Sequence, residues 1–155
     1  MNLQWVCKKF DELSLLELYR ILQIRSQVFN VEQRCDDQDV DDKDQNAYHL
    51  CVYDGATLCA YARLLPAGLS YSEMSIRRVL VAEAYRHKNL GKMLMQAAIE
   101  NCEHLFGKGS IKISAQAYLQ KFYESFGFRK ISDVYMEAGI EHIKMIKEIC
   151  NDETV

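Results

Sequence analysis

With 155 residues, 49% of them apolar and 26% charged, the chain is long enough for one domain with a hydrophobic core and too apolar for disorder. Its net charge of −3 argues against a nucleic-acid binder, which would present a basic face. No run approaches the ~20 apolar residues of a membrane helix, so no membrane partner is expected. The opening ten residues lack the basic-then-apolar order of a signal peptide, and the expected location is the cytoplasm. Cys7, Cys35, Cys51, Cys59, Cys102 and Cys150 show neither Cys-x-x-Cys spacing nor a histidine at ligand spacing, so free thiols and no metal site are expected.

Leu3–Lys9 reads as a first strand. Ser14-Leu15-Leu16-Glu17 is a capping box, opening a helix with Leu15, Leu18, Leu22 and Val28 near a 3.6-residue period and an end near Phe29. Residues 35–45 are polar and acidic, a loop. Residues 48–53, the turn Asp54-Gly55 and Thr57–Leu65 form a hairpin, and Pro66-Ala67-Gly68 breaks it. A strand over 73–81 precedes a helix over 89–104 with Leu90, Leu94, Ala97, Ala98 and Cys102 as its apolar stripe. After Gly107-Lys108-Gly109 come a strand over 110–115, a short helix over 118–125, a strand over 128–134 and a hairpin over 135–148 that turns at Gly139. No repeat is present, and the mixed order predicts an α+β or α/β fold in one domain, residues 1–155.

The stretch 79–94 is strand, basic loop, then helix. A helix start offers free N–H groups and the positive end of a dipole, which suits a phosphate. Arg86, Lys88 and Lys92 add charge, Gly91 permits close approach of backbone, and Asn89 tolerates left-handed φ. No Gly-Lys-Ser or Gly-Lys-Thr follows, and a single glycine makes no dinucleotide fingerprint. By itself the stretch also reads as a solvated basic turn. In the run Cys35 to Asp44, Asp37, Asp39 and Asp41 alternate as calcium ligands would. Asp42 stands where an EF-hand needs glycine and Tyr48 where it needs glutamate, so that reading fails. The run is expected to be solvated, with a lesser possibility that its field draws a cationic amine inward.

A second segment, 115–128, leaves a strand and ends a short helix at Gly127-Phe128. Arg86-x-x-Asn89-x-Gly91 and Phe122-Tyr123 to Gly127-Phe128 together resemble the GNAT acetyltransferase superfamily, whose coenzyme A loop reads Arg-x-x-Gly-x-Gly. Asn89, in place of the first loop glycine, is the departure. Residues 24–33, Ala62-Arg63-Leu64-Leu65, Ala115-Gln116 and 139–145 are similar to its ElaA-like branch, and the likeness runs in order along essentially the whole chain.

The resemblance implies a mixed, largely antiparallel central sheet of about six to seven strands with helices on both faces. It implies transfer of acetyl from acetyl-CoA to a small-molecule or peptide amine, by direct attack in a ternary complex. Arg86, His87, Lys88, Asn89, Leu90, Gly91 and Lys92 would cradle the pyrophosphate. Backbone groups of Val79, Leu80 and Val81 would pair with pantetheine and aim an N–H at the thioester oxygen. Gln116 stands where many members bond pantetheine through asparagine. Phe122 and Tyr123 would lie against the cofactor, with Tyr123 as the acid for the leaving thiolate. Full transfer from a tyrosine (pKa ~10) to a thiolate (~8.5) is uphill by roughly 2 kcal/mol, whereas a hydrogen bond needs no full transfer.

The family's base is often a glutamate on the strand before the loop. By alternation Glu73, Ser75, Arg77 and Val79 share a face there, which makes Glu73 and Ser75 the catalytic candidates. Glu32, His49, Arg63, Glu137 and His142, from the ElaA-like stretches, are acceptor-side candidates, each with a structural reading beside the functional one. The alternative function is a non-catalytic acyl-CoA-binding or sensing module. Monomer and homodimer are both compatible with the sequence.

Overall fold

The computed structural model describes residues 2–149; Cys150, expected as a free thiol, lies outside the described residues. Strands β1 (Leu3–Lys9), β2 (Tyr48–Asp54), β3 (Thr57–Leu65) and β4 (Ser75–Val81) pair antiparallel in that order. Strands β5 (Ile111–Gln116), β6 (Arg129–Lys130), β7 (Tyr135–Glu137) and β8 (Ile140–Lys147) make a second antiparallel sheet, with β8 between β5 and β6 and β7 also on β8. The sheets meet at a parallel bridge, Met74 to Ile111, where the Lys112 N–H donates to the Met74 carbonyl at 2.8 Å. Past that bridge β4 and β5 diverge, with no further pairing between them among the described residues. The mixed, largely antiparallel arrangement expected is present, with eight strands among the described residues, four in each of two sheets joined at that bridge, where about six to seven were expected.

Helices cover both faces of the first sheet. Helix α2 (Leu90–Phe106) buries Leu90, Leu94, Met95, Ala98, Ile99 and Cys102 against Leu50, Val52, Ala60, Ala62 and Ile76. Helix α1 (Leu15–Arg25) covers the opposite face, where Ile21 and Val28 meet Cys51, Leu58, Tyr61 and Leu80. The capping box forms: the Glu17 N–H donates to Ser14 Oγ at 3.1 Å, and the Ser14 N–H to Glu17 Oε1 at 2.9 Å. The buried stripe of α1 differs from the expected one. Leu15 is 88% exposed, and the inward face is Ile21, Arg25 and Val28, at the i, i+4, i+7 spacing of one helical face. The helix also continues past Phe29 as a π-helical turn, Ser26–Glu32, which brings Phe29, Asn30 and Glu32 to the cleft described below.

The 3₁₀ turn Ala117–Leu119 leads into α3 (Gln120–Glu124), ended by Gly127. At φ 94° a Cβ on Gly127 would stand 2.9 Å from Lys147 Nζ, which donates to the Phe126 carbonyl at 2.8 Å. β6 is shorter than the strand expected over 128–134. The Lys144 N–H donates to Ser132 Oγ at 2.8 Å, so a side chain replaces the ladder there. The five described cysteines are free thiols. Burial pushes Cys51 and Cys102 up to about 12 and Cys7, with Glu12 adding repulsion, to about 11, so all three stay protonated near neutrality.

Only part of the acidic run is solvated: Asp36, Asp37 and Asp42 are exposed, whereas Asp39, Asp41 and Asp44 turn inward. Asp44 Oδ1 accepts from Arg25 Nη1 at 2.7 Å and Arg63 Nη1 at 2.9 Å. Asp39 accepts from Arg25 Nε at 2.7 Å and Arg78 Nε at 2.8 Å, and Asp41 takes both Arg63 Nη atoms at 2.8 Å. Burial by itself would raise the Asp41 and Asp44 carboxyls, but the guanidinium bonds prevail and hold both well below the usual range. Three aspartates face three arginines, so these six charges cancel one another within the fold.

Candidate active site

A cleft of about 840 Å³ opens where β4 and β5 part. Its β4 wall is shaped by a bulge: Tyr61 pairs with Leu80 and Arg63 with Arg77, so Arg78 and Val79 together oppose Ala62. Arg78 has φ 57°, a left-handed conformation that costs a non-glycine residue roughly 1–2 kcal/mol. The bulge turns Arg77, Arg78, Val79, Leu80 and Val81 all onto the lining and leaves backbone groups of the extra residue unpaired.

Two expected residues lie beside or before the Met74–Ile111 bridge, where β4 and β5 have not yet parted. Ser75 is buried in the core with its hydroxyl unpartnered, and Glu73 lies in a bend before β4. A hydrogen bond from Ser72 Oγ at 2.9 Å holds the Glu73 carboxyl below its ordinary value, which makes it a poorer base. Neither residue lines the cleft. His49 and Arg63 are likewise not brought to it. His49 Nε2–H donates to the Asp44 carbonyl at 3.0 Å and Nδ1 accepts from the Tyr61 hydroxyl at 2.7 Å. Burial, aided by the Arg25 and Arg63 charges, lowers its pKa and keeps it neutral. Arg63 belongs to the buried ionic set.

At the outer end of the cleft is the start of α2. Asn89, its N-cap, has φ 63° and makes no side-chain cap, and His87 has φ 65°. The first N–H groups of a helix of 17 residues are thus left for another acceptor. A Cβ on Gly91 would meet nothing nearer than Val81 Cγ2 at 3.9 Å, so this glycine leaves open space at the lining. His87, Lys88, Asn89 and Lys92 are exposed, Lys88 lies 5.6 Å over the Tyr85 ring, and the Leu90 side chain is in the core. Arg86 spans the mouth: its Nε donates to the Val81 carbonyl at 3.0 Å and its Nη2 to Glu32 Oε2 at 2.6 Å. Glu32 therefore orients Arg86. Across the gap, Gln116 Nε2 donates to Gln33 Oε1 at 3.3 Å. Tyr123 lines the cleft with Phe122 edge-on at 5.1 Å, and burial, with Tyr118 adding to it, pushes its phenol up to about 12.

At the inner end, level with the bridge, a polar cluster gathers from four strands. Ser114 Oγ donates to Glu137 Oε1 at 3.1 Å and shares a short hydrogen bond with the Tyr135 hydroxyl. Glu137 Oε2 stands 3.4 Å from His142 Nε2 and 3.7 Å from Arg77 Nη2. His142 Nδ1 is 2.8 Å from the Ile140 carbonyl, which fixes that nitrogen as a donor and turns Nε2 toward Glu137. Glu137 and His142 were expected on the acceptor side; Ser114 and Tyr135 were not. Ser114 was accessible to sequence reasoning, because Ile111, Ile113 and Ala115 face the core and leave Ser114 beside Gln116 on the other face.

This fold and cleft go with membership of the GNAT acetyltransferase family: residues 23–149 match the acetyltransferase (GNAT) domain, and the chain belongs to that family. Within that family it is ElaA-like. It is 40% identical over 149 residues to protein ElaA of Escherichia coli strain K12, spanning 95% of this chain and 97% of that protein. The crystal structure of E. coli ElaA superposes with a TM-score of 0.89 at 39% identity, covering 95% of this chain and all of that one. An acyl-CoA N-acyltransferase from Pseudomonas aeruginosa superposes with a TM-score of 0.91 at 39% identity, covering 94% and 99% of the two chains. Among the described residues no helix is long and apolar enough to cross a membrane.

Proposed function

We propose that the chain is a cytoplasmic N-acetyltransferase that moves the acetyl group of acetyl-CoA onto a small-molecule or peptide amine by direct attack, with both substrates bound. The observation that carries this reading is the cleft itself: an uncapped helix start at one end, an unpaired bulged strand edge along the wall, and a hydrogen-bonded carboxylate at the other end. In this reading the 87–91 backbone and the Arg86 guanidinium hold the pyrophosphate. The Val79 to Val81 edge and Gln116 hold pantetheine between the sheets. An N–H at the bulge faces the thioester oxygen as negative charge builds there.

Glu137 accepts the proton that the attacking nitrogen gives up, with the Ser114 hydroxyl, itself hydrogen-bonded to Tyr135, supporting its charge. The C–N bond forms as the C–S bond breaks; the sulfur leaves as a thiolate and takes its proton from solvent, to which Glu137 returns the one it accepted. Tyr123, at about 12 against a thiol near ~8.5, would lose about 5 kcal/mol in a full proton transfer. Its role is therefore a hydrogen bond to the departing sulfur.

Isothermal titration with acetyl-CoA tests the reading. Micromolar binding that Arg86→Ala weakens roughly tenfold, the size of one lost charge-assisted contact, is the expected result. An amine panel followed by free-thiol release then separates turnover from a binding-only module. Absence of binding to any acyl-CoA would sink the proposal.

A further inference from the structure

The cleft contains one arginine whose hydrogen-bonding capacity is unused. Arg77 lines the inner end, and its side chain is only 18% exposed. A guanidinium has five N–H donors, yet among the described residues none of those of Arg77 makes a hydrogen bond. Its nearest carboxylate oxygen, at 3.7 Å, is out of hydrogen-bond reach. The other arginines at or behind the cleft differ. Arg25, Arg63 and Arg78 are held by Asp39, Asp41 and Asp44, and Arg86 by Glu32 and the Val81 carbonyl. A guanidinium that faces the cleft and that the fold leaves without a hydrogen-bonded acceptor is free to receive one from a ligand.

The chemistry of that ligand follows from the group. A planar guanidinium fork matches a carboxylate in two parallel bonds. Immediately beside it, Glu137 with Ser114 and His142 forms the position at which an amine would give up its proton. A cation site and an anion site this close suit a molecule that carries an amine and a carboxylate on one carbon atom. From this juxtaposition we infer that the acceptor is a free amino acid, its carboxylate received by Arg77 and its amine presented to Glu137. The inference rests on the acyltransferase reading above and deepens it by naming the acceptor class. A peptide N-terminus does not meet it, because the carbon beside its amine bears an amide.

The test uses matched pairs, each α-amino acid against its primary amide, with acetyl-CoA saturating. Wild-type kcat/KM should favour the free acids by roughly tenfold or more, since a site built for a charged group discriminates against the analogue lacking it. Arg77→Gln should bring each pair to near parity, Arg77→Lys should keep part of the preference, and Arg129→Gln, at an exposed arginine, should leave it unchanged. Amides accepted as well as acids would overturn the inference. So would an Arg77→Gln loss that is equal for both members of a pair, the signature of an arginine that only supports Glu137. A second readout does not need turnover: thermal shift in the presence of coenzyme A, with N-acetyl amino acids against their amides. Stabilisation by the acids that disappears in Arg77→Gln supports the inference, and no difference between acids and amides refutes it. Failure to bind acetyl-CoA at all is the separate result that would bring down the acyltransferase reading.

Discussion

At the scale of single residues, Glu137 is the group on which turnover should depend most visibly. It lies in the cleft, receives a hydrogen bond from Ser114 at 3.1 Å, and faces His142 at 3.4 Å. Glu137→Gln keeps the shape and the Ser114 contact but cannot accept a proton. The expected result is a fall in kcat of roughly a hundredfold or more at neutral pH. The deficit should shrink as pH rises and the amine deprotonates in solution, which a pH profile of kcat for both proteins would reveal. A deficit independent of pH would assign Glu137 a structural role. Tyr123 and Glu137, both named from the sequence through the family resemblance, do line the cleft. Glu73 and Ser75 do not line the cleft, because alternation names a face of the strand but not the point along it, at the Met74–Ile111 bridge, beyond which the strands part.

At the scale of elements, the segment between the π-helical turn and β2 is held by charge. Asp44 is the shared partner of two fully buried arginines, so its removal leaves both without their common acceptor. Asp44→Ala should cost about 3–5 kcal/mol, the usual penalty for breaking a buried pair from one side, measured by denaturant unfolding. The same segment sets the acid limb of stability. The His49 pKa is lowered in the fold, so the unfolded chain binds the extra proton first, and stability present above about 6.5 is lost as pH falls below it. The depressed Asp41 and Asp44 carboxyls contribute stability present above about 3.9, lost as pH falls further. Melting temperature should thus decline in two stages, gently below pH 6.5 and steeply below pH 4. A flat profile from pH 7 to 5 would remove the His49 contribution. None of this was readable beforehand. The aspartates' partners lie 14 to 39 residues away along the chain, and no local period marks them. The stripe of α1 failed for the same reason: the buried face includes Arg25, which a hydrophobic pattern discards.

At the scale of the whole molecule, the order of the motifs carried the fold. The strand and helix sequence, both covered faces and the glycine-ended α3 were all legible. The division into two sheets was not, because nothing local marks where neighbouring strands cease to pair. That division has a thermodynamic consequence. The sheets meet at the Met74–Ile111 bridge, and in the proposed reading acetyl-CoA occupies the gap beyond it as an extra strand. A ligand bound only to the native state at a hundred times its Kd adds about 2.7 kcal/mol. For a domain of this size that raises Tm by about 5–10 °C. Stabilisation by itself does not locate the ligand, but amide hydrogen exchange does. Backbone amides of β4 from Ile76 to Val81 and of β5 toward Gln116 should gain protection together with the first turn of α2. Protection confined to the start of α2 would mean that only the phosphates engage and that pantetheine does not run between the sheets. The thioester would then lie away from Glu137, and neither the direct attack nor the acceptor position beside Arg77 could hold.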